Sequence, residues 1–258
     1  MKRRHLFEFE DQEWFPKEVR NYMTDYLQTA ANSFNIYESI IPILQKGVAK
    51  SGTRQIIDLA SGGGGGWLSL AEKIAQAIPG INIKLTDFYP NIEAFKKTQT
   101  RYPYLFDYSS TSVNATEVPI ELKGLRTQFL SFHHFKPIQA RLILQNAVDS
   151  KQPIAIFEAL ERTPFNFAMI TGIPLTVFGL TPFIKPFTFK RLALTYLIPV
   201  VPFFVGFDGF VSVFRVYSQE EMKEMTRTLI DSESFEWEIG KFKKGIITVQ
   251  YLLGYPKE

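Results

Sequence analysis

Apolar residues along this chain follow two periodicities that keep replacing one another. Ile56-Ile57-Asp58-Leu59 is a short, nearly continuous apolar run, the pattern of a strand buried on both faces. After it, Trp67, Leu68, Leu70, Ala71, Ile74, Ala75 and Ile78 recur at helical spacing until Pro79-Gly80 ends the helix. The exchange then repeats. It predicts a second strand over 81–87, a helix over 91–100, a short third strand over 109–114 and a turn or brief helix over 117–122. A fourth strand follows over 125–132, an amphipathic helix over Pro137–Asp149 and a fifth strand over 153–158. Near the end, Ser218-Gln219-Glu220-Glu221 has the capping-box pattern of a helix start, and two β-segments close the chain over 235–242 and 245–253. Ahead of the first strand come two helical stripes. Val19, Tyr22, Met23, Tyr26 and Leu27 follow Pro16, and Phe34, Tyr37, Ile40, Ile41, Ile43 and Leu44 make the second. Strands alternating with helices specify an α/β protein.

The alternation breaks at 159–216. There Phe165 to Ile170, Leu175 to Ile184 and Leu192 to Phe214 are dense in apolar and aromatic side chains. The last run has spanning length but holds Pro199, Pro202 and Asp208, and Pro174 and Pro182 break the earlier ones. Lys185, Lys190 and Arg191 stand among Phe183, Phe187 and Phe189, a mixture suited to a membrane surface. Three readings of this insert are open, in order: a lid and wall for an apolar substrate, a membrane-surface anchor through 164–214, or a dimer interface. A true membrane span ranks fourth.

Composition narrows the chemistry. Zero Cys among 258 residues removes disulfides, thiolate zinc sites and Cys nucleophiles together, and fits a cytoplasmic setting, with a peripheral membrane location left open by the insert. A net charge of +3 is too small to argue for nucleic acid, so no nucleic-acid partner is expected. The start, Met1-Lys2-Arg3-Arg4-His5, runs into the acidic Glu8, Glu10 and Asp11 and not into the apolar stretch of a signal peptide. With three His and no H-x-x-x-H or D-x-D spacing, no metal site is expected.

Five consecutive glycines, Gly62 to Gly66, join the first strand to the helix at Trp67. A strand, a Gly-rich turn and a helix make a cradle for a nucleotide-like ligand. A P-loop needs Gly-Lys-Ser/Thr, and no Lys follows here. A dinucleotide fingerprint beginning at Gly62 and Gly64 would put its third glycine at Trp67, although other registers fit. Asp58, Ala60, Gly62 and Gly64 fall on the spaced positions of the D-x-G-x-G-x-G loop of the class I S-adenosylmethionine-dependent methyltransferases, with Ala60 for the first glycine. Asp87 ends the second strand and Asn114-Ala115 follows the third, so the chain resembles that family over about 50–158 and 217–258.

The resemblance implies a Rossmann-like, seven-stranded, mostly parallel sheet with helices on both faces. Within a single domain, 1–50 would form a helical cap, 51–158 the cofactor-binding core, 159–216 the insert and 217–258 the closing helix and hairpin. It implies S-adenosyl-L-methionine as cofactor, bound by Asp58, Ala60, Ser61, Gly62, Gly63, Gly64, Asp87, Phe88, Asn114, Ala115 and Ser131. Asp87 would hold the ribose hydroxyls, since a carboxylate can accept two hydrogen bonds side by side, and Asn114 would meet the adenine. The N-terminal helices would lie over the ligand mouth, so Tyr22, Tyr26 and Tyr37 face either a ligand or the core. His133 and His134, after the fourth strand, are the candidate catalytic residues; packing or capping is the alternative. Glu158 could bind an acceptor or pair with Arg162, and Arg215 could pair with Asp208. The expected activity is methyl transfer to a small or lipid-like apolar acceptor. The alternative is a non-catalytic or membrane-associated binding module with the same fold.

Overall fold

The computed structural model describes residues 1–257. Seven strands form one sheet: β1 (Gln55–Asp58), β2 (Asn82–Leu85), β3 (Phe106–Tyr108), β4 (Leu125–Phe129), β5 (Ile154–Glu158), β6 (Phe235–Lys244) and β7 (Ile247–Pro256). Their order is β3-β2-β1-β4-β5-β7-β6, the first five parallel and β7 and β6 antiparallel. This is the mostly parallel sheet implied by the sequence.

Adjacent residues of β1 divide between the two faces, as the pleat requires. Ile56 joins the core built on α2 (Ile41–Ser51) and α3 (Trp67–Ala77), with Leu44, Trp67, Leu70 and Ile74. Ile57 joins the opposite core, built on α5 (Pro137–Asp149) and α10 (Gln219–Arg227), with Ile143, Leu144 and Met222. Both faces being covered explains why the parallel strands read as apolar runs without alternation. The predicted capping box forms: Ser218 Oγ accepts from the Glu221 N–H at 3.2 Å, and Glu221 Oε2 from the Ser218 N–H at 2.9 Å.

Three local expectations are corrected. The third strand lies at 106–108, because Phe106 pairs with Ile83 and is buried, whereas the polar Ser109 to Ser112 leave the sheet. The fourth strand stops at Phe129. Leu130 takes a left-handed conformation, φ 49°, and a 3-10 turn follows over Phe132–His134. The second N-terminal stripe is interrupted: Phe34 is exposed, and α2 starts only at Ile41, with Pro42 in its first turn.

The insert folds into α6 (Pro164–Thr171), α7 (Ile173–Leu180), the short α8 (Phe189–Leu192) and α9 (Val200–Arg215). Of these, α7 and α9 pack on α1 (Lys17–Ser33), where Tyr22, Met23 and Tyr26 meet Val177, Val201 and Val205. One helical stretch, Pro164–Phe183, is long and apolar enough to cross a membrane, with 22% of its apolar window buried. The stretches Phe189–Leu197 and Val200–Arg215 meet at a 70° bend.

Helix α1 also lies directly on the glycine loop. A Cβ on Gly63 would fall 2.7 Å from the Thr24 carbonyl oxygen, and one on Gly66 would fall 2.5 Å from the Tyr37 ring. Backbone against backbone has no flexible end to move aside. Gly63→Ala is therefore expected to destabilise the fold by about 1–3 kcal/mol through overpacking, read as a lowered midpoint in thermal or denaturant unfolding.

Candidate functional site

The sheet's connections reverse direction between β1 and β4, where an open α/β sheet leaves a crevice beyond its carboxyl ends. Two cavities meet there. The first encloses about 950 Å³ including its open mouth. Ser61, Gly62 and Gly63, then Asp87 and Tyr89, then Leu130 and Ser131 bound it, and α1 covers it with Arg20, Thr24 and Gln28. The second, about 910 Å³, is mainly apolar: Met23 and Tyr26 face Met169, Ile170, Ile173 and Val205 of the insert. Glu10, Leu27, Ala31, Tyr37, Leu130 and His134 line both.

The first cavity has the features of a polar ligand cradle. Asp87 stands at its wall, accepting the Gly62 N–H at Oδ2 and the Tyr89 N–H at Oδ1, both at 2.7 Å. Burial raises its carboxyl above the usual range, against the pull of those two N–H groups. Each oxygen retains a second acceptor direction, which fits a pair of ribose hydroxyls. Ser131 Oγ is buried without a hydrogen-bond partner on the same wall. A buried orphan hydroxyl is costly, and a polar ligand would satisfy it. Ala60, Gly62, Gly64 and Gly65 have positive φ, so the loop curls tightly. The residues present fit S-adenosylmethionine.

Other expected contacts stand elsewhere. Asp58 lies beneath the cavity, with Oδ1 accepting from Thr127 Oγ1 at 2.7 Å and Oδ2 left unpartnered. Burial pushes its carboxyl up to about 6, against the pull of the Thr127 hydroxyl. Gly64 is crowded by the Gln28 side chain and does not line the cavity. Phe88 is half exposed and turned to the surface, while Tyr89 takes the wall, with the Arg20 guanidinium 4.7 Å from its ring centre. Asn114 closes a local turn, its Oδ1 accepting from the Thr116 N–H at 3.0 Å and Oγ1 at 2.9 Å, and Ala115 is packed in the α5-side core. Asp58, Gly64, Phe88, Asn114 and Ala115 thus do not line this cavity in the structure.

The histidines divide. His133 is buried, with Nδ1 at 2.9 and 3.2 Å from the two Glu158 oxygens. A carboxylate at Nδ1 holds the proton there and leaves the lone pair on Nε2, and the ring lines the apolar cavity. His134 Nδ1 lies 2.8 Å from Asp11 and 3.0 Å from Glu8. Burial opposes its charge, but Glu8 and Asp11 outweigh burial and hold the imidazole well above its ordinary range. His134 is thereby tied as a cation to the two strap acids.

The anchoring acids come from the N-terminal strap, residues 3–15. Arg215, fully buried, forms ion pairs with Glu8 and Asp11 at 2.7 Å each and donates to the His134 carbonyl at 2.8 Å. Asp208 accepts the Phe9 and Glu10 N–H groups at 2.9 and 3.0 Å. Arg215 therefore pairs with the strap and not with Asp208, while Arg162 pairs with Glu221 at 2.7 Å and not with Glu158. Glu8, His133 and His134 bring donor atoms within 4.8 Å of one another, but the Arg215 guanidinium on the same Glu8 oxygen opposes a second cation. Sequence reasoning missed Glu8, Glu10, Asp11 and Arg20 at the site. An acidic cluster ahead of the first helix was the visible signal, with nothing to connect it to Arg215 over two hundred residues later.

No protein-family model matches the chain, and no curated protein does either. Solved structures do. An O-methyltransferase family protein from Burkholderia thailandensis aligns over 96% of this chain and 62% of its own, at 12% identity and TM-score 0.52. Human N-acetylserotonin methyltransferase, solved with S-adenosylmethionine, aligns over 94% and 57%, at 13% identity and TM-score 0.52. NcsB1, an O-methyltransferase of neocarzinostatin biosynthesis solved with S-adenosylmethionine and 2-hydroxy-5-methyl naphthoic acid, aligns over 88% and 55%, at 10% identity and TM-score 0.51. The chain spans little more than half the length of these structures. It shares their fold, that of the class I methyltransferases.

The strap network has a measurable weight. Removing the cation of the buried Arg215–Glu8 pair leaves two strap acids to share the His134 cation, so Arg215→Met is expected to cost about 3 kcal/mol in denaturant unfolding. Glu8 and Asp11 are lowered in the folded protein by His134 and Arg215, against burial. Their contribution is complete above the ordinary carboxylate range, about pH 4, and is lost as pH falls through the lowered values. His134 is raised, so its contribution is complete below about pH 6.5 and is lost as pH rises past the raised value. Limited proteolysis across pH should release the strap at the acid end before the sheet core unfolds.

Proposed function

We propose that this protein transfers the methyl group of S-adenosylmethionine to a small, largely apolar acceptor. One observation carries the reading: the glycine-loop cleft with Asp87 and Ser131 shares six wall residues with an apolar cavity. A methyl transfer needs a donor site and an acceptor site that touch, because in-line placement of the two reactants supplies much of the rate. Gly62, Gly63, Asp87 and Ser131 would hold the cofactor, Asp87 through the ribose hydroxyls. Bound there, it supplies a methyl carbon made electrophilic by the attached sulfonium.

The chain's own residues do the rest. Leu27, Ala31, Tyr37 and Leu130 line the junction and exclude water from it. Met169, Ile170, Ile173 and Val205 select an apolar body in the acceptor. His133, oriented by Glu158, takes a proton from the acceptor at Nε2, and the Glu158 carboxylate stabilises the imidazolium that results.

The outer face of the insert supports a second element, contact with an anionic membrane surface. Between 164 and 207 there is no Asp or Glu. Lys185 and Lys190 are exposed beside Phe183, Phe187 and Phe189, with Leu197, Ile198 and Phe203 also open to solvent, while Arg191 turns inward to Asp25. Apolar surface of this extent marks an interaction face, and Lys185, with Lys190 beside its partner Glu18, favours anionic lipid. On this reading the acceptor is delivered from the bilayer.

Calorimetry with S-adenosylhomocysteine tests the donor half. The wild type should bind, and Asp87→Ala should weaken binding by about tenfold or more through the lost charge-assisted bonds; no binding by the wild type refutes the assignment. Flotation tests the surface. The protein should rise with phosphatidylserine-containing vesicles, less so at high salt, and Phe183→Ser, Phe189→Ser and Leu197→Ser together should reduce recovery. Absence of flotation, or concentration-dependent dimers broken by the same triple variant, removes the membrane element. Flotation without S-adenosylhomocysteine binding would favour the non-catalytic module.

A further inference from the structure

Glu10 differs from every other acid at the site. Glu8 and Asp11 are paired with Arg215 and His134, Asp208 with two backbone N–H groups, and Glu158 with His133. The Glu10 carboxylate has no hydrogen bond or ion pair among the described residues. Its backbone, in contrast, is gripped from both sides: the N–H donates to Asp208 Oδ2 at 3.0 Å, and the carbonyl accepts from Arg20 Nε at 3.1 Å. The side chain lines both cavities. Of the six residues that do so, only Glu10 and His134 carry ionisable groups of ordinary charge at neutral pH, and His134 is already neutralised by Glu8 and Asp11.

Burial pushes the Glu10 carboxyl up to about 7; the His134 cation opposes the rise, and Asp208, Glu8 and Asp11 add to it. Arg20 of α1 and Arg215 of α9 are the cations packed against the strap here, and Asp87 lines the same cavity as Glu10. A clamped backbone thus holds an unpaired, partly exposed carboxyl at the junction of the two cavities, where a ligand that donates a hydrogen bond can meet it.

We propose that Glu10 receives the hydrogen-bond-donating head, a hydroxyl or an amine, of the methyl acceptor where the donor cleft meets the apolar cavity. The acceptor is then an apolar molecule with a neutral donor or cationic head. Carboxylate- and phosphate-headed molecules are repelled. This deepens the methyl-transfer reading and rests on it.

Sinefungin, which carries an amine-bearing carbon where the cofactor has its methyl-sulfonium, probes the junction without any acceptor. By calorimetry, the wild type should bind sinefungin about tenfold or more tightly than S-adenosylhomocysteine, as a partly buried charge pair allows. The advantage should grow as pH rises through about 7, because the carboxylate form is the one that pairs. Glu10→Gln should bring the two ligands close to parity, and its binding of S-adenosylhomocysteine shows that the variant is folded. Retention of the sinefungin advantage in Glu10→Gln overturns the proposal, as does a wild type that binds S-adenosylhomocysteine with no sinefungin advantage. Should the variant bind neither ligand, the wild-type pH series decides, and a preference flat across pH 7 overturns it. A wild type that binds neither ligand refutes the donor assignment itself.

Discussion

The Arg215 guanidinium joins three parts of the chain that sequence keeps far apart. It sits at the end of α9, binds Glu8 and Asp11 of the N-terminal strap, and bonds the His134 carbonyl beyond β4. A buried cation must find anions and carbonyls or unfold, so satisfying it draws the strap across the crevice mouth. With the strap in place, Asp208 clamps Phe9 and Glu10, and Phe9 packs on Phe204 at a ring separation of 4.5 Å. The wall between the two cavities is a consequence of that ion network.

The glycine run serves two demands at once. Positive φ at Gly62, Gly64 and Gly65 lets the loop curl toward Asp87. Gly63 and Gly66 need no special φ; they are small because Thr24 of α1 and the Tyr37 ring press on them. A long glycine run is thus set by packing as well as by the curl of the loop. Half of the requirement comes from the helix that roofs the cleft.

Legibility followed the range of the interaction. Ile56 and Ile57, the α3 stripe and the Ser218–Glu221 box depend on neighbours within one or two turns, and their patterns predict the elements observed. The third strand was misplaced because Val113, apolar and buried, marks core and not pairing; its N–H reaches the Asp87 carbonyl at 2.9 Å from outside the sheet. Asn114 looked like a ligand contact from its place in the order of motifs, yet Thr116 two residues on satisfies it. His133 and His134 were indistinguishable as a pair. Glu158 meets one ring at Nδ1, whereas Glu8 and Asp11 hold the other as a cation.

The sequence alone determined the α/β alternation, the loop that cradles a ligand and the acid at the end of β2, because each is written in residues close together along the chain. Tertiary structure decided which side chains share a wall. Glu10, Tyr37, Leu130 and His134 meet only when the strap, α1 and the β4 exit converge. The insert likewise reads as apolar throughout, and only folding sorts Val177 and Val205 into the core and leaves Phe189 and Leu197 outside. The physical reason is common to both: hydrophobic period and turn chemistry are local, whereas charge pairing and the choice of buried face are settled by whatever the fold brings alongside.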